Sequence, residues 1–273
     1  MRLAMLSGIN EYLLSDANLQ GCINDVEEMT DILSVVFGFS IQTILKNKEA
    51  SKVHVIEALK KLGSSLKKGD EFVWYHSGHG TQIADFDGDE VDGVDEALVM
   101  ADSTWDTSMF NDDELFTILK DFPKKIHGTM IFDTCFSGGM TRRLSHKLKI
   151  LEHPDWLRQL IIKNRKGIKR IGIEHPDNRF MFLLASKEDQ YSEESVNADG
   201  KVMGAFTNAL LQVSRKKGKT LDNISIIAMV KEKLIQNGFK QNPKMSADIL
   251  WLHRSFLGAE ASLWWKRLMR WFD

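Results

Sequence analysis

Four short apolar runs, Leu3 to Leu6, Phe72 to Tyr75, Met130 to Phe132 and Phe180 to Leu184, lack polar alternation and are bounded by Gly, Ser or charged residues. Strands covered on both faces have this character, because successive side chains point to opposite sides and both sides are dry. Between the runs the period changes. Val26, Met29, Leu33 and Val36 recur at helical spacing before Gly38; Val55, Leu59, Leu62 and Leu66 follow Ser51; Ile227, Val230 and Leu234 precede Gly238. The spacing predicts helices, two of them stopped by glycine. Strands alternating with helices predict an α/β fold with a mainly parallel central sheet and helices on both faces. Sites on such sheets gather at the carboxyl ends of the strands. His79 follows the second run, Cys135 follows the third, and the first leads into "SGIN" and "GCIND", so three loops are expected to meet at one edge.

The chain has 273 residues, 43% hydrophobic and 27% charged, enough for one sizeable core. A formal charge of −2 gives no global reason to expect nucleic acid or an anionic membrane as partner. The amino terminus lacks the features of a secretory signal and there is no run of 18 apolar residues, so a soluble, cytoplasmic protein is expected. Two cysteines, Cys22 and Cys135, are too few for a disulfide framework.

The charge is unevenly spread. Asp85 to Glu96 holds seven carboxylates, and Arg142 to Arg170 holds ten Lys or Arg against two acids. Both segments are expected at the surface, the basic one with a short helix around Trp156 to Lys163. The tail "LWWKRLMRWFD", Leu263 to Asp273, reads as an amphipathic helix that docks on this domain, on a partner protein or on an anionic membrane surface.

Two stretches carry candidate chemistry: "WYHSGHGTQ", Trp74 to Gln82, and "FDTCFSGG", Phe132 to Gly139. A thiol attacks a carbonyl as thiolate, and an imidazole within reach takes its proton and returns one to the leaving amine. The amides of Gly80 and Cys135 are placed to face the oxyanion that forms. The residues alone leave two readings open, a Cys135–His79 dyad or a buried cysteine and histidine in structural Gly-rich turns.

"YHSGHG" followed by "DTCFSGG" resembles the caspase-like cysteine peptidases, in particular the metacaspase and orthocaspase branch. The opening "LSGINEY", "LQGCINDVEEMTDIL" and "FGF", then "GAFTNALL" and "FLG", are similar to further landmarks of that branch, from Leu3 to about Gly258. The resemblance implies a caspase-hemoglobinase-like peptidase domain over residues 1–258, with a basic loop insertion at 142–178 and a tail at 259–273. It implies a cysteine endopeptidase with His79 as general base and Cys135 as nucleophile, needing no organic cofactor. His76 is then structural and Cys22 a bystander. Asp25, Ser77 and Asp133 match the positions lining the first substrate pocket, and carboxylates there select Arg or Lys before the cut bond. Self-cleavage is expected in the basic loop, with Lys147, Lys149, Lys163, Arg165 and Lys166 as candidates.

Asp95, Asp112 and Asp113 resemble positions of the family's calcium site. Thr141 or Arg142 replaces a further ligand, so a solvated acidic loop is the preferred reading and Ca2+ activation the lesser one. Phe136 stands where many relatives have His and is expected to reshape the cleft wall. The rival readings are an inactive pseudopeptidase that binds basic peptides and a nucleotide-binding doubly wound domain; the latter lacks both the GxGxxG fingerprint and the P-loop lysine pattern. Substrates are expected to be proteins or peptides with basic residues.

Overall fold

A computed structural model describes residues 1–84, 94–105, 109–136, 147–151, 154, 177–186 and 191–258. Its centre is a six-stranded sheet of β1 (Arg2–Gly8), β2 (Ser40–Lys46), β3 (Glu71–Ser77), β7 (His127–Asp133), β8 (Phe180–Leu184) and β11 (Lys244–Ala247), in the order β11-β8-β7-β3-β1-β2. All neighbours are parallel except β11 against β8. β4 (Gly80–Ala84), β5 (Val94–Val99) and β6 (Met109–Asn111) form a small antiparallel sheet, and β9 (Glu194–Val196) pairs with β10 (Val202–Gly204).

The unalternating apolar runs are the inner strands, and each feeds two cores. Leu3, Met5, Phe72, Trp74, Met130 and Phe132 face one way, toward α2 (Lys52–Ser65) and α3 (Asp112–Lys120). Ala4, Leu6, Val73, Tyr75 and Ile131 face the other, toward α1 (Cys22–Asp31), α4 (Ala205–Lys217) and α5 (Asn223–Gln236). Burying a side chain of this size stabilises the fold by about 1.5–3 kcal/mol, so the dry central strands fix the register on both sides. α6 (Ile249–Leu252) lies near β11 and is followed by a 3-10 turn at Phe256–Gly258.

Local signals were read where they act. Ser51 caps α2, its hydroxyl accepting from the His54 amide at 3.4 Å. Gly38 and Gly238 take φ of +70° and +86°, the left-handed region in which a side chain is strained. The helix after β1 departs from the simple periodicity: it passes from α1 into a π turn at Ile32–Val36 before Gly38. No helix among the described residues is long and apolar enough to cross a membrane. The acidic run at 85–93, the predicted helix around Trp156 to Lys163, Thr141, Arg142, the cleavage candidates Lys163, Arg165 and Lys166, and the tail at 259–273 lie outside the described residues.

Candidate active site

Parallel pairing puts the ends of β1, β3 and β7 side by side, with Gly8 opposite Ser77 and Ser77 opposite Asp133. Ser77 therefore already stands next to Asp133 by strand register. α1 starts beyond the end of β1 and brings Asp25 over them, where Ser77 Oγ donates to Asp25 Oδ2 at 2.7 Å. The three residues matched to a substrate pocket thus converge, and all three are buried.

That pocket holds a side chain of the same polypeptide. Lys149 Nζ lies 2.8 Å from Asp25 Oδ2, 2.8 Å from Ser77 Oγ and 3.1 Å from Asp133 Oδ2, with both Lys149 and Asp25 at 0% exposure. Burial alone would pull the Lys149 ammonium pKa down; Asp133 and Asp25 outweigh it and hold the group well above its ordinary value. Burial pushes Asp25 up to about 6 against the lowering effect of Lys149. Buried charges persist only when paired and hydrogen-bonded, and the remaining acceptors are used. Asp25 Oδ1 accepts from the Gly204 amide at 2.8 Å, Asp133 Oδ1 from Ser192 Oγ at 2.6 Å, and Asp133 Oδ2 from Thr207 Oγ1 at 2.6 Å. Gly204 has to be glycine, because an added Cβ would come within 2.0 Å of Asp133 Oδ2.

The main chain around Lys149 is bound as firmly as its side chain. Lys149 N donates to Ser192 O at 2.9 Å and Glu194 N donates to Lys147 O at 2.8 Å, so residues 147–149 run antiparallel to 192–194. The Lys149 carbonyl then accepts from the amides of Gly80 and Cys135, both at 3.2 Å. Two main-chain donors on one carbonyl form an oxyanion-hole arrangement. A Cβ on residue 80 would come within 2.2 Å of Cys135 O, so only glycine brings the two amides this close. Phe136 closes the wall beside it, its Cδ1 3.1 Å from that same position.

His79 Nε2 lies 2.6 Å from the Ala17 carbonyl, which only accepts, so this nitrogen carries the hydrogen. In the neutral ring Nδ1 is then the base, and the Lys149 main chain lies against the imidazole. Burial holds His79 down to about 4, with the Ala17 carbonyl opposing. Tyr12 supports the ring: its hydroxyl accepts from the His79 amide at 2.8 Å and its ring centroid is 5.0 Å from the imidazole. The Cys135 thiol donates to Ser192 O at 3.4 Å and accepts from the Ser192 amide. Burial pushes it up to about 12. His79 Nδ1 makes no hydrogen bond among the described residues, and Sγ is bonded to Ser192 rather than to the ring.

His76 has a structural setting. Trp74 Nε1 donates to Ser7 Oγ at 3.1 Å, leaving the Ser7 hydrogen for His76 Nδ1 at 2.8 Å. Cys22 is buried near the pocket, and burial pushes its thiol up to about 12. Asp95 is on β5, its Oδ2 accepting from Asn111 Nδ2 at 3.0 Å, while Asp112 and Asp113 occupy the first turn of α3, where helix polarity favours acids. Among the described residues no three His, Cys, Asp or Glu side chains gather as a metal site.

Sequence reasoning missed Ala17, Tyr12, Ser192 and Thr207. Thr207 and Gly204 lay within "GAFTNALL", a stretch noted only as a landmark; Ala17 acts through its carbonyl, which no side-chain pattern announces.

A parallel sheet with a cysteine and a histidine on adjacent strand ends, two amides on one carbonyl and an acidic pocket beside them defines a caspase-like architecture. Solved structures agree on the fold: a protein from Geobacter sulfurreducens matches with TM-score 0.67 at 24% identity over 92% of this chain and 96% of its own. Caspase-1 from Spodoptera frugiperda matches with TM-score 0.57 at 14% identity over 90% and 88%. The caspase domain model of the C14 peptidases covers residues 1–250, and the chain belongs to this family of cysteine peptidases. Metacaspase-1 of Schizosaccharomyces pombe is 28% identical over 82% of this chain and 52% of its own length. Metacaspase-1 of Meyerozyma guilliermondii is 33% identical over 50% and 35%. The chain thus spans about half, or less, of the length of these curated relatives.

Proposed function

We propose that the chain is a cysteine endopeptidase that cuts after Lys or Arg, and that its first substrate is its own bond between Lys149 and Ile150. One observation carries the reading: Lys149 has its ammonium among Asp25, Ser77 and Asp133 while its carbonyl rests on the amides of Gly80 and Cys135. Side chain and reacting carbonyl are thereby held together in a substrate's pose.

In this reading Sγ leaves the Ser192 main chain, passes its proton to His79 Nδ1 and attacks the Lys149 carbonyl carbon. The negative charge develops on the oxygen that Gly80 and Cys135 already hold. The C–N bond breaks as His79 returns the proton to the Ile150 nitrogen, leaving a thioester. Water, losing a proton to His79, then opens the thioester and restores the thiol, which His79 reprotonates. Arg fits the same carboxylates as Lys through its planar donors. A cavity of about 800 Å³ lined by Gln20, Lys147, Glu194, Asn208 and Gln212 gives room for residues ahead of Lys147 in an outside peptide.

The competing reading, a pseudopeptidase that only holds basic peptides, draws on the protonated thiol turned toward Ser192. A digest of a peptide library by wild type and Cys135→Ala, with calcium or with EDTA, separates them by mass spectrometry. Cuts after Lys and Arg that vanish in Cys135→Ala support the endopeptidase; no cuts support the binding module, and cuts after Asp refute the pocket assignment.

A further inference from the structure

The bound segment continues past the scissile bond along a strand edge. Leu151 N donates to Gly80 O at 3.1 Å, Thr81 Oγ1 donates to Leu151 O at 3.1 Å, and Ile150 pairs with Gly80 as a parallel bridge. β4 is paired on its other side with β5, Thr81 lying opposite Ala97, and it is the edge strand of its sheet among the described residues. Residues 150 and 151 thus add a short strand to that edge, the mode by which extended peptides are often recognised. Their side chains are covered: Ile150 is 8% exposed, and Leu151 packs on the core that lies on the α2 and α3 face.

We infer that the Gly80–Thr81 edge of β4 is a second specificity site, which selects aliphatic residues at the two positions following the cut bond, with Thr81 as a positioning residue that holds the main chain of the second of them. The inference rests on the endopeptidase reading above. The Gly80 amide holds the scissile carbonyl while the Gly80 carbonyl holds the amide two residues on, so the pairing of Leu151 fixes where the reacting carbon sits. A charged residue in place of Ile150, which is 8% exposed, would lose most of its hydration, which is costly. These residues depart with the leaving amine, so their contribution falls on formation of the thioester and is read in kcat/KM.

The test uses the full chain and four substrates sharing one sequence through Lys, continued by Ile-Leu, Gly-Gly, Asp-Asp or a fluorogenic amine alone. Expected is a kcat/KM for Ile-Leu about ten- to a hundredfold above Asp-Asp, the range that an apolar pocket yields. Thr81→Val is expected to shrink the advantage of Ile-Leu over the fluorogenic amide by about three- to tenfold, the worth of one hydrogen bond. Because that second readout is a ratio within one variant, a general loss of folded enzyme does not alter it. Equal rates whatever follows Lys, or a Thr81→Val ratio matching wild type, overturn the inference while leaving the endopeptidase standing; failure to cut any Lys or Arg substrate overturns both.

Discussion

Lys149 and Asp25, 124 positions apart in sequence, meet at 2.8 Å with neither side chain reached by solvent. Under the proposed function, the bond after Lys149 is the one expected to be cut. Lys149→Arg is expected to retain cleavage and Lys149→Ala to abolish it at this bond, with the new amino terminus at Ile150 found by mass spectrometry only in the former. In the Cys135→Ala background, Lys149→Ala also strands two buried carboxylates. A loss of about 3–5 kcal/mol is the usual scale for a broken buried pair, read as a lowered melting temperature.

Cys135 is expected to be a poor target for alkylation in the intact chain. Its thiol is buried and pushed up to about 12, so the reactive thiolate is scarce near neutral pH. Rapid alkylation is expected only of the state in which the Lys149 segment has left the cleft. Iodoacetamide labelling followed by mass spectrometry, before and after cleavage, should show the rate rise at least tenfold.

The pH profile should have its acid limb near 6. Asp25 is raised, so its charged form dominates above about 6 and is lost as pH falls through that value, weakening the hold on a Lys or Arg. His79 is lowered to about 4 and stays a free base across the same range, so it does not set this limb. Turnover of a Lys peptide measured from pH 4.5 to 8.5 checks this, and Asp25→Asn should remove the inflection together with most of the affinity for Lys.

Tyr12→Phe keeps the aromatic contact with His79 and removes only the acceptor of its amide hydrogen bond. A buried donor left without a partner costs about 1–3 kcal/mol. The expected result is a fall in kcat of about tenfold or more with KM nearly unchanged, measured on a Lys peptide, because Tyr12 positions the base and does not touch the pocket carboxylates.

The central strands and the helices ending at Gly38 and Gly238 were legible because both cores select alternating faces of wholly apolar strands, a pattern visible in sequence alone. Cys135 and His79 were legible as candidates because each follows an apolar run within a Gly-rich turn, whereas Asp25, Ser77 and Asp133 entered only through the resemblance to the metacaspase branch. What the sequence could not give was the occupant of the pocket. Lys149 was one of five candidates for cleavage, and its selection depends on the pairing of residues 147–149 with Ser192 and Glu194, which lie far along the chain. Ala17 and the two amides were hidden for a related reason: main-chain groups act by position, and every residue type offers them.

Because guest and host are one molecule, the proposed cleavage before Ile150 would be unimolecular: diluting the protein should leave its half-life unchanged. An external peptide, by contrast, competes with a tethered rival, and a short tether typically sets an effective concentration of about millimolar. Until that rival is gone, a micromolar peptide meets a cleft that is already taken.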